Sequence, residues 1–221
     1  MWVKICGITT LADATFLATT KADACGLNFY PDSKRFVTTE AAIEIRKCLG
    51  TNIEVVGVFV NSPPEEVSAI AKTVGLDTVQ FHGNESAADI AKFASLSPET
   101  RIVRAFRIGD EGFAAVERDV QELRRHDVSL HAILVDAYHP NEFGGTGHRI
   151  DPSTARDWIA GWTAEDVILA GGLKPDNVAS AVAMIQPWGI DVASGVETAP
   201  GIKARADVQA FIENAKQSPP R

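Results

Sequence analysis

Short apolar runs alternate with segments of helical periodicity from one end of the chain to the other. Runs of this kind are typical of buried strands, and the segments between them are long enough to form helices. Eight runs fit this description, at residues 2–6, 25–30, 54–60, 78–82, 101–107, 132–136, 167–170 and 190–194. Dividing 221 residues by eight gives about 28 residues per unit, close to the roughly 30 residues of a βαβ crossover. The pattern predicts an α/β fold with a parallel sheet, and eight equal units favour a single (β/α)8 TIM barrel over an open doubly wound sheet.

Local sequence signals mark where several helices begin and end. Ser62-Pro63-Pro64-Glu65 predicts a helix start, with serine as the N-cap, proline at the first helical position and glutamate completing a capping box. That helix is expected to stop at Gly75. An earlier helix is expected to be capped by Thr38 or Thr39 and to end at Gly50.

The C-terminal part of the chain continues the same alternation. Pro175 lies near the start of the seventh predicted helix, and the eighth runs from about Arg205 to Lys216. No linker or change of composition precedes residue 217. We therefore expect one barrel, the catalytic domain, over residues 1–216, followed by a frayed tail over residues 217–221.

Composition and charge exclude several classes of protein. Hydrophobic residues make up 45% and charged residues 23%, and no segment approaches the ~20 apolar residues of a membrane span. No signal-peptide pattern precedes the first run, so we expect a soluble cytoplasmic protein with no membrane partner. The net charge of −8 argues against a nucleic-acid partner, and it requires any anionic substrate to be held by local positive features.

The cysteines do not indicate disulfide bonds or a metal site. Cys6, Cys25 and Cys48 have neither the even number nor the density of a disulfide framework. None of them forms a Cys or Cys/His pair with the spacing of a zinc site. We expect free thiols in a reducing compartment and no bound metal.

The active site of such a barrel lies at the C-terminal ends of its strands. Several residues that end the apolar runs are polar, which is typical of a catalytic rim. The residues at these positions are Cys6, Asn28 to Tyr30, Asn61, His82, Arg107, Asp136, Gly171-Gly172 and Ser194-Gly195.

Glycine-rich turns follow the last two strands, where many barrels bind phosphate. Gly171-Gly172 follows the seventh run and Ser194-Gly195 the eighth, so backbone N–H groups can approach phosphate oxygens. The pair of turns predicts a phosphorylated small-molecule substrate. A third cluster, Gly144 to Gly147, is either a flexible loop or a lid with further N–H donors.

Cys6 and Asp136 end the first and sixth strands and would face each other across the barrel mouth. A thiol at a strand end is an unusual place for a structural cysteine, and the apolar strand before Asp136 would raise the pKa of its carboxyl. The two residues together predict an acid/base pair. Lys4 lies on the same face as Cys6, where it would either favour the thiolate or pair with an inward carboxylate such as Asp191.

Two other candidates remain open from the residues alone. His82 ends the fourth strand and either takes part in the site or is a satisfied, hydrogen-bonded histidine. Arg35 follows the second strand and either binds a substrate carboxylate or lies in a solvated loop.

Taken together and in order, these motifs resemble those of the phosphoribosylanthranilate isomerase family of tryptophan biosynthesis. The resemblance covers nearly the whole chain. Its seven motifs are Lys4 to Ile8; Gly26 to Phe29 with Ser33 and Arg35; Gly57 to Asn61; Gln80 to Glu85; Val135-Asp136 with Gly144 to Gly147; Leu169 to Leu173 with Pro175 and Asn177-Val178; and Asp191 to Glu197 with Pro200-Gly201 and Lys203.

The resemblance implies an Amadori rearrangement of N-(5-phosphoribosyl)anthranilate without metal or organic cofactor. It makes Cys6 the general base and Asp136 the general acid, and it assigns the anthranilate carboxylate to Arg35. The two glycine turns would hold the phosphate, with Lys4, His82 and Asp191 as supporting residues. We expect a monomer or a weak homodimer.

The sequence departs from the family pattern at a few positions. These are Lys34 in place of proline, Ile150 and Pro152 in place of phenylalanine and tryptophan, Ala193 in place of serine and Ala204 in place of aspartate. They concern the anthranilate loop, the glycine loop and the phosphate end rather than the proposed acid and base.

Three other functions remain open. One is a different phosphosugar isomerase, lyase or synthase of the same fold. Another is a phosphate-binding barrel that has lost catalysis, and the third is an enzyme with a nucleophilic thiol.

Overall fold

The chain forms a closed barrel of eight parallel strands surrounded by helices. The computed structural model describes residues 1–108, 112–136 and 152–217. The strands of the barrel are β1 (Trp2–Cys6), β2 (Ala24–Asn28), β3 (Glu54–Phe59), β4 (Thr78–Phe81), β5 (Arg101–Arg107), β6 (Ala132–Asp136), β7 (Asp166–Ala170) and β8 (Gly189–Val192). The helices are α1 (Leu11–Leu17), α2 (Thr39–Leu49), α3 (Pro64–Val74), α4 (Ala87–Leu96), α5 (Phe113–Arg125), α6 (Pro152–Gly161), α7 (Val178–Ile185) and α8 (Arg205–Lys216). Each strand pairs with its neighbour in sequence, and β8 closes the barrel on β1. The (β/α)8 prediction is confirmed.

The predicted strand ends differ from the observed ones by at most two residues. The second strand shows why. The Phe29 N–H still donates to Val58 O at 2.9 Å, but the next N–H, of Tyr30, turns back to the Asn28 side chain at 2.9 Å. An Asx-type turn therefore ends β2 before its apolar run does.

Helix caps confirm three of the predicted boundaries and correct a fourth. Thr38 caps α2 through its side chain, Gly50 is the C-cap of α2, and Gly75 ends α3 with a φ of 74°. The prediction of Ser62 as the N-cap of α3 with a capping box is wrong, because Pro63 is the N-cap and no side chain caps the helix. Pro64 disfavours the helical conformation at the residue before it, so Pro63 stays extended with a ψ of 137° and the helix begins one position later.

Two layers of side chains make the core. Apolar residues on the outer face of the strands pack against the helices, and a separate apolar cluster fills the interior along β5 to β7. That interior cluster is formed by Val103, Ala105, Ala132, Leu134, Ile168 and Ala170. The opposite half of the interior is polar, because Lys4, Gln80 and Asp191 are buried there and Lys4 contacts both of the others.

A small excursion after β8 was not predicted. A short 3-10 helix, η1 (Ser194–Val196), leads into an antiparallel pair, β9 (Glu197–Ala199) and β10 (Ile202–Lys203), before α8 begins. The turn of this pair contains Gly201, whose φ is 83°. This β9–β10 hairpin brings Glu197 and Lys203 to the barrel mouth. None of the described helices is both long and apolar enough to cross a bilayer.

The start of α8 shows the effect of one departure from the family pattern. Ala204 is the N-cap residue, and it has no side-chain oxygen to accept from the first turn. We expect Ala204→Asp to raise the free energy of unfolding by about 1 kcal/mol. Urea unfolding followed by circular dichroism would measure the change, and Ala204→Asn would separate the capping hydrogen bond from the added charge. An unchanged midpoint in both variants would contradict this account of the cap.

Candidate active site

Cys6 lies at the C-terminal end of β1 and faces the barrel interior. Lys4, two residues earlier, contacts Gln80 on the non-neighbouring strand β4, and this contact must pass through the interior. Strand alternation places Cys6 on the same face, one layer nearer the mouth. Gly26 on β2 is its lateral partner, and a Cβ there would lie 2.6 Å from the Cys6 Sγ. The glycine therefore leaves space for the thiol.

Burial dominates the titration of the Cys6 thiol. Desolvation and the charge of Asp191 raise its pKa, while Lys4, Lys203 and Arg35 lower it without reversing the rise. The predicted attraction between Lys4 and the thiolate is present, but it does not make the thiolate the resting form. In the absence of a ligand, Cys6 is therefore mainly a thiol.

Lys4 pairs with Asp191, the inward carboxylate that the sequence suggested. Its Nζ is 3.3 Å from Asp191 Oδ2 and also donates to Gln80 Oε1 at 2.5 Å. Burial lowers the pKa of Lys4, but interactions with neighbouring acidic groups, above all the charge of Asp191, outweigh it, so its pKa lies above the usual value. The ammonium group is therefore a permanent cation at the centre of the barrel.

Asp136 ends β6 and also faces inward, because it continues the alternation of Ala132 and Leu134, which fill the interior. Its Oδ1 is buried and accepts no hydrogen bond from the described residues. The nearby carboxyl group of Asp136 adds to the rise that burial causes in the pKa of Asp191, since two neighbouring carboxyl groups disfavour ionisation of both. Cys6 and Asp136 thus lie at the same mouth, with β7 and β8 between their strands.

Arg35 does not lie free in a solvated loop. Its guanidinium donates two hydrogen bonds to the Glu197 carboxylate, from Nε to Oε1 at 2.9 Å and from Nη2 to Oε2 at 2.6 Å. The side chain passes over Gly7, where a Cβ would lie 2.5 Å from Arg35 Cδ. Arg35 is thus held at the mouth by a carboxylate of the protein itself.

Lys203 joins this pair to the strand that carries Cys6. Its side chain is 1% exposed, and its Nζ donates to Cys6 O at 2.6 Å, to Ala193 O at 3.2 Å and to Glu197 Oε1 at 2.8 Å. Burial raises the pKa of Glu197, but the hydrogen bonds from Arg35 and Lys203 bring it below the usual value. The replacement at Ala193 does not affect this contact, because Lys203 binds its backbone carbonyl.

Glu197 and Lys203 belong to the last of the seven motifs, but the sequence gives neither of them a role. Both follow β8 as polar residues that lie among glycine and proline, which is the only local signal they carry. Their function depends on partners more than 150 positions away, at Arg35 and Cys6.

The glycine turns after β7 and β8 pack against each other. Gly171 and Gly172 have positive φ values of 91° and 60°, which favour glycine over other residues. A Cβ on Gly195 would lie 1.9 Å from Leu173 O, so the two loops touch at a point that excludes any side chain. Ser194 begins η1, and the first N–H groups of such a helix have no partner within it.

Other predicted features lie partly outside the described residues. The loop of Gly144 to Gly147 and Ile150 are outside them, and Pro152 is the first residue of α6. Within residues 1–108, 112–136 and 152–217, no three His, Cys, Asp or Glu side chains come together as candidate metal ligands.

Asn61 takes part in a hydrogen-bond network that supports the loops at the barrel mouth. Glu85 accepts from the backbone N–H groups of Asn61 at 2.8 Å and of Gly83 at 3.0 Å, and it pairs with Arg104 at 2.7 Å. Arg104 also donates to Gly83 O at 3.1 Å. These bonds hold the ends of β3 and β4 in place, and with them His82, whose Nδ1 is 2.8 Å from Gln80 Nε2.

Comparison with known proteins relates this arrangement to one family. The family model for N-(5'-phosphoribosyl)anthranilate isomerase matches residues 3–214. N-(5'-phosphoribosyl)anthranilate isomerase of Geobacter sp. (strain M21) is 43% identical over 97% of this chain and 98% of its own length. The enzyme of Bordetella petrii is 38% identical over 99% of this chain and 96% of its own length.

Solved structures agree with the sequence relatives. Phosphoribosylanthranilate isomerase from Thermotoga maritima superposes with a TM-score of 0.80 at 38% identity, covering 98% of this chain and 99% of that one. A structure of phosphoribosylanthranilate isomerase in complex with reduced 1-(o-carboxyphenylamino)-1-deoxyribulose 5-phosphate has a TM-score of 0.79 at 35% identity, with coverage of 98% and 99%.

Proposed function

This chain belongs to the N-(5'-phosphoribosyl)anthranilate isomerase family, and on that premise we propose the reaction that it catalyses. The reaction is the Amadori rearrangement of N-(5-phosphoribosyl)anthranilate to 1-(2-carboxyphenylamino)-1-deoxy-D-ribulose 5-phosphate in tryptophan biosynthesis. Cys6 acts as general base and Asp136 as general acid. The observation that carries the two roles is that a buried thiol and a buried carboxyl oxygen, which accepts no hydrogen bond from the described residues, face into one barrel mouth.

Asp136 begins the reaction by opening the sugar ring. Its carboxyl group gives a proton to the ring oxygen while the bond from that oxygen to C1′ breaks. The nitrogen lone pair then forms a C1′=N double bond, and the product of this step is a protonated Schiff base. An oxygen that accepts no hydrogen bond from the described residues is suited to this transfer, because no donor among those residues competes for it.

Cys6 completes the rearrangement by removing the proton on C2′. The electron pair of that C–H bond forms the C1′=C2′ bond, and the nitrogen accepts the pair of the C=N bond and becomes neutral. The resulting enolamine gains a proton on C1′ and loses the hydroxyl proton of C2′, which yields the ketone. The cationic Schiff base favours a thiolate beside it, which offsets the rise that burial causes in the Cys6 pKa. The substrate nitrogen serves as the electron sink, so the mechanism needs no cofactor.

The non-reacting ends of the substrate supply binding energy that orients the reacting carbons. Gly171 and Gly172 after β7, with Ser194 and Gly195 after β8, surround the phosphate with backbone N–H groups. Arg35 takes the anthranilate carboxylate. A guanidinium has five N–H donors, and Glu197 occupies two of them, so one edge of Arg35 is left for the substrate.

The Arg35–Glu197 pair leads to a test of carboxylate recognition. We expect Glu197→Gln to raise KM and to weaken anthranilate binding by about tenfold, because the amide loses the charge and one acceptor oxygen that hold the guanidinium. Arg35→Lys should weaken both by a similar factor, since lysine lacks the planar fork.

Steady-state kinetics and calorimetric titration with anthranilate would measure these effects. Glu213→Gln, on the exposed face of α8, is the matched control and should bind as the unaltered protein does. Unchanged anthranilate binding in both Arg35→Lys and Glu197→Gln would contradict the role given to Arg35.

The proposal also covers the domain bounds, the cellular location and the oligomeric state of the enzyme. Residues 1–216 form the catalytic domain, and the protein works in the cytoplasm on a small phosphorylated substrate. The tail expected over residues 217–221 lies outside the described residues from residue 218 onward. Its assembly is a monomer or a weak homodimer. Sedimentation over a range of protein concentrations would distinguish the two.

A direct assay tests the function. The purified protein is mixed with freshly generated N-(5-phosphoribosyl)anthranilate, and the loss of its fluorescence is followed while the product is identified by mass. Rapid conversion to the deoxyribulose isomer supports the proposal. Binding of the reduced product analogue without turnover would instead favour a non-catalytic phosphate-binding barrel, and a mass adduct on Cys6 during turnover would indicate a nucleophilic thiol.

A further inference from the structure

His82 is held in a fixed orientation at the mouth. Its backbone N–H donates to Phe59 O at 2.9 Å, which continues the ladder of β3 and β4 by one residue. Its side chain therefore keeps the inward alternation of Thr78 and Gln80. The Glu85–Arg104 pair holds the turn that follows His82, so the backbone that carries the imidazole is restrained.

A chain of hydrogen bonds from Lys4 determines which ring nitrogen of His82 carries the proton. Lysine has no acceptor, so the Gln80 atom 2.5 Å from Lys4 Nζ must be the amide oxygen. The amide nitrogen of Gln80 then faces His82 Nδ1 at 2.8 Å. Because that nitrogen is only a donor, Nδ1 must accept, and the ring proton must be on Nε2.

The same chain excludes the doubly protonated ring. A proton on Nδ1 would point at the N–H of Gln80, and the charges that act on the ring from β1 and β5 are positive. Burial and the charges of Lys4, Arg107 and Arg104 lower the pKa of His82 to about 4. The ring is therefore neutral throughout the range in which an ordinary histidine titrates.

The two ring nitrogens are on different sides of the ring, so Nε2 is directed away from Gln80, which lies one layer deeper in the barrel. Nε2 has no hydrogen-bond partner among the described residues. A neutral Nε2–H is a hydrogen-bond donor, and it has no lone pair with which to take a proton. His82 therefore cannot serve as the general base at this mouth.

We propose that His82 binds the substrate by donating its Nε2–H to a hydroxyl oxygen of the sugar chain, and that Lys4 and Gln80 are positioning residues that fix this tautomer. β4 lies across the barrel from β8, so His82 is opposite the phosphate turns and faces the part of the mouth between Cys6 and Asp136. A neutral donor suits an uncharged hydroxyl, whereas the phosphate and the carboxylate have charged or backbone donors of their own. For the identity of the substrate this inference rests on the proposed function.

The tautomer can be tested without substrate. In the free, uniformly ¹⁵N-labelled protein, the ring of His82 should show an unprotonated Nδ1 and a protonated Nε2 from about pH 6 to about pH 8. In Gln80→Glu the carboxylate accepts from both Lys4 and the ring, so Nδ1 should become protonated. A protonated Nδ1 in the unaltered protein, or an unprotonated one in Gln80→Glu, would overturn the proposed chain.

Two replacements of His82 separate the donor at the mouth from the bond to Gln80. His82→Asn keeps an acceptor near the Nδ1 position but has no donor at the Nε2 position, whereas His82→Gln keeps an N–H near Nε2. We expect His82→Asn to weaken binding of the reduced product analogue by about tenfold and to raise KM similarly, with His82→Gln within about threefold of the unaltered protein.

Ligands that lack the sugar identify the group that is bound. Anthranilate alone and inorganic phosphate alone should bind to His82→Asn as they bind to the unaltered protein, because neither has a sugar hydroxyl. Equal affinity of the analogue for both proteins, or an equal loss for anthranilate, would overturn the assignment to the sugar. Absence of turnover in the unaltered protein would instead count against the proposed function and leave the measured tautomer unaffected.

Discussion

Replacing Asp136 by asparagine is expected to lower kcat by about 10²- to 10⁴-fold, which is the usual contribution of a general acid. The amide preserves the shape of the side chain at the end of β6, but it cannot give a proton to the ring oxygen. KM should change little, because the groups proposed to bind the phosphate and the carboxylate are on other loops.

The kinetic isotope effect at C2′ identifies the step that is lost in Asp136→Asn. If ring opening becomes rate-limiting, substrate carrying deuterium at C2′ should react at nearly the same rate as unlabelled substrate. Asp166→Asn, an exposed carboxylate at the opposite end of the barrel on β7, is the matched control and should retain full activity. A kcat for Asp136→Asn within about threefold of the unaltered enzyme would exclude Asp136 as the acid.

Replacing Cys6 by alanine is expected to lower kcat by a similar factor, about 10²- to 10⁴-fold, but through the other step. Without the thiolate, removal of the C2′ proton should become rate-limiting, and the deuterium effect should grow instead of disappearing. Cys25→Ala is the matched control, because Cys25 is also buried and free but lies on the outer face of the neighbouring strand. It should lower stability without changing the isotope effect.

The Cys6 thiol also determines the direction of the pH dependence. Its pKa is raised, so the free enzyme holds the protonated thiol at neutral pH, and the fraction of thiolate increases as pH rises towards that pKa. We expect kcat/KM to be still rising with pH at about 8.5, where an ordinary thiol is half ionised. Cys6→Ala should lose this rise. A plateau that begins below neutral pH in the unaltered enzyme would mean that the surrounding cations outweigh burial.

The positions of Cys6 and Asp136 were predictable because they depend on local pattern. Each follows an apolar strand, and the fold rule that collects strand ends at one face needs only the count and spacing of the strands. The same holds for the glycine turns after β7 and β8. The helix start at Ser62 was predicted incorrectly for a local reason, because the restriction that Pro64 imposes on Pro63 outweighs the capping preference of serine.

The ion-pair and hydrogen-bond partners of the site residues were harder to predict from the sequence. The role of Lys4 was left open between two alternatives, and its pairing with Asp191 was one of them. Two contacts were not predicted. They are the bidentate hydrogen bonds from Arg35 to Glu197 and the hydrogen bond from Lys203 to the Cys6 carbonyl. Both depend on the β9–β10 hairpin, which is too short to give a periodic signal.

The sequence by itself determined the barrel and the strand ends that carry the candidate acid and base residues, because hydrophobic periodicity and glycine turns are local properties that survive in the linear order. Only the tertiary structure decided the electrostatic state of those residues. Whether Cys6 rests as a thiol depends on the balance of burial and Asp191 against three cations. Which nitrogen of His82 carries a proton depends on Lys4, far away in the chain, acting through Gln80. Charge interactions and hydrogen bonds are determined by distance in space, and only the closed barrel brings these groups within reach of one another.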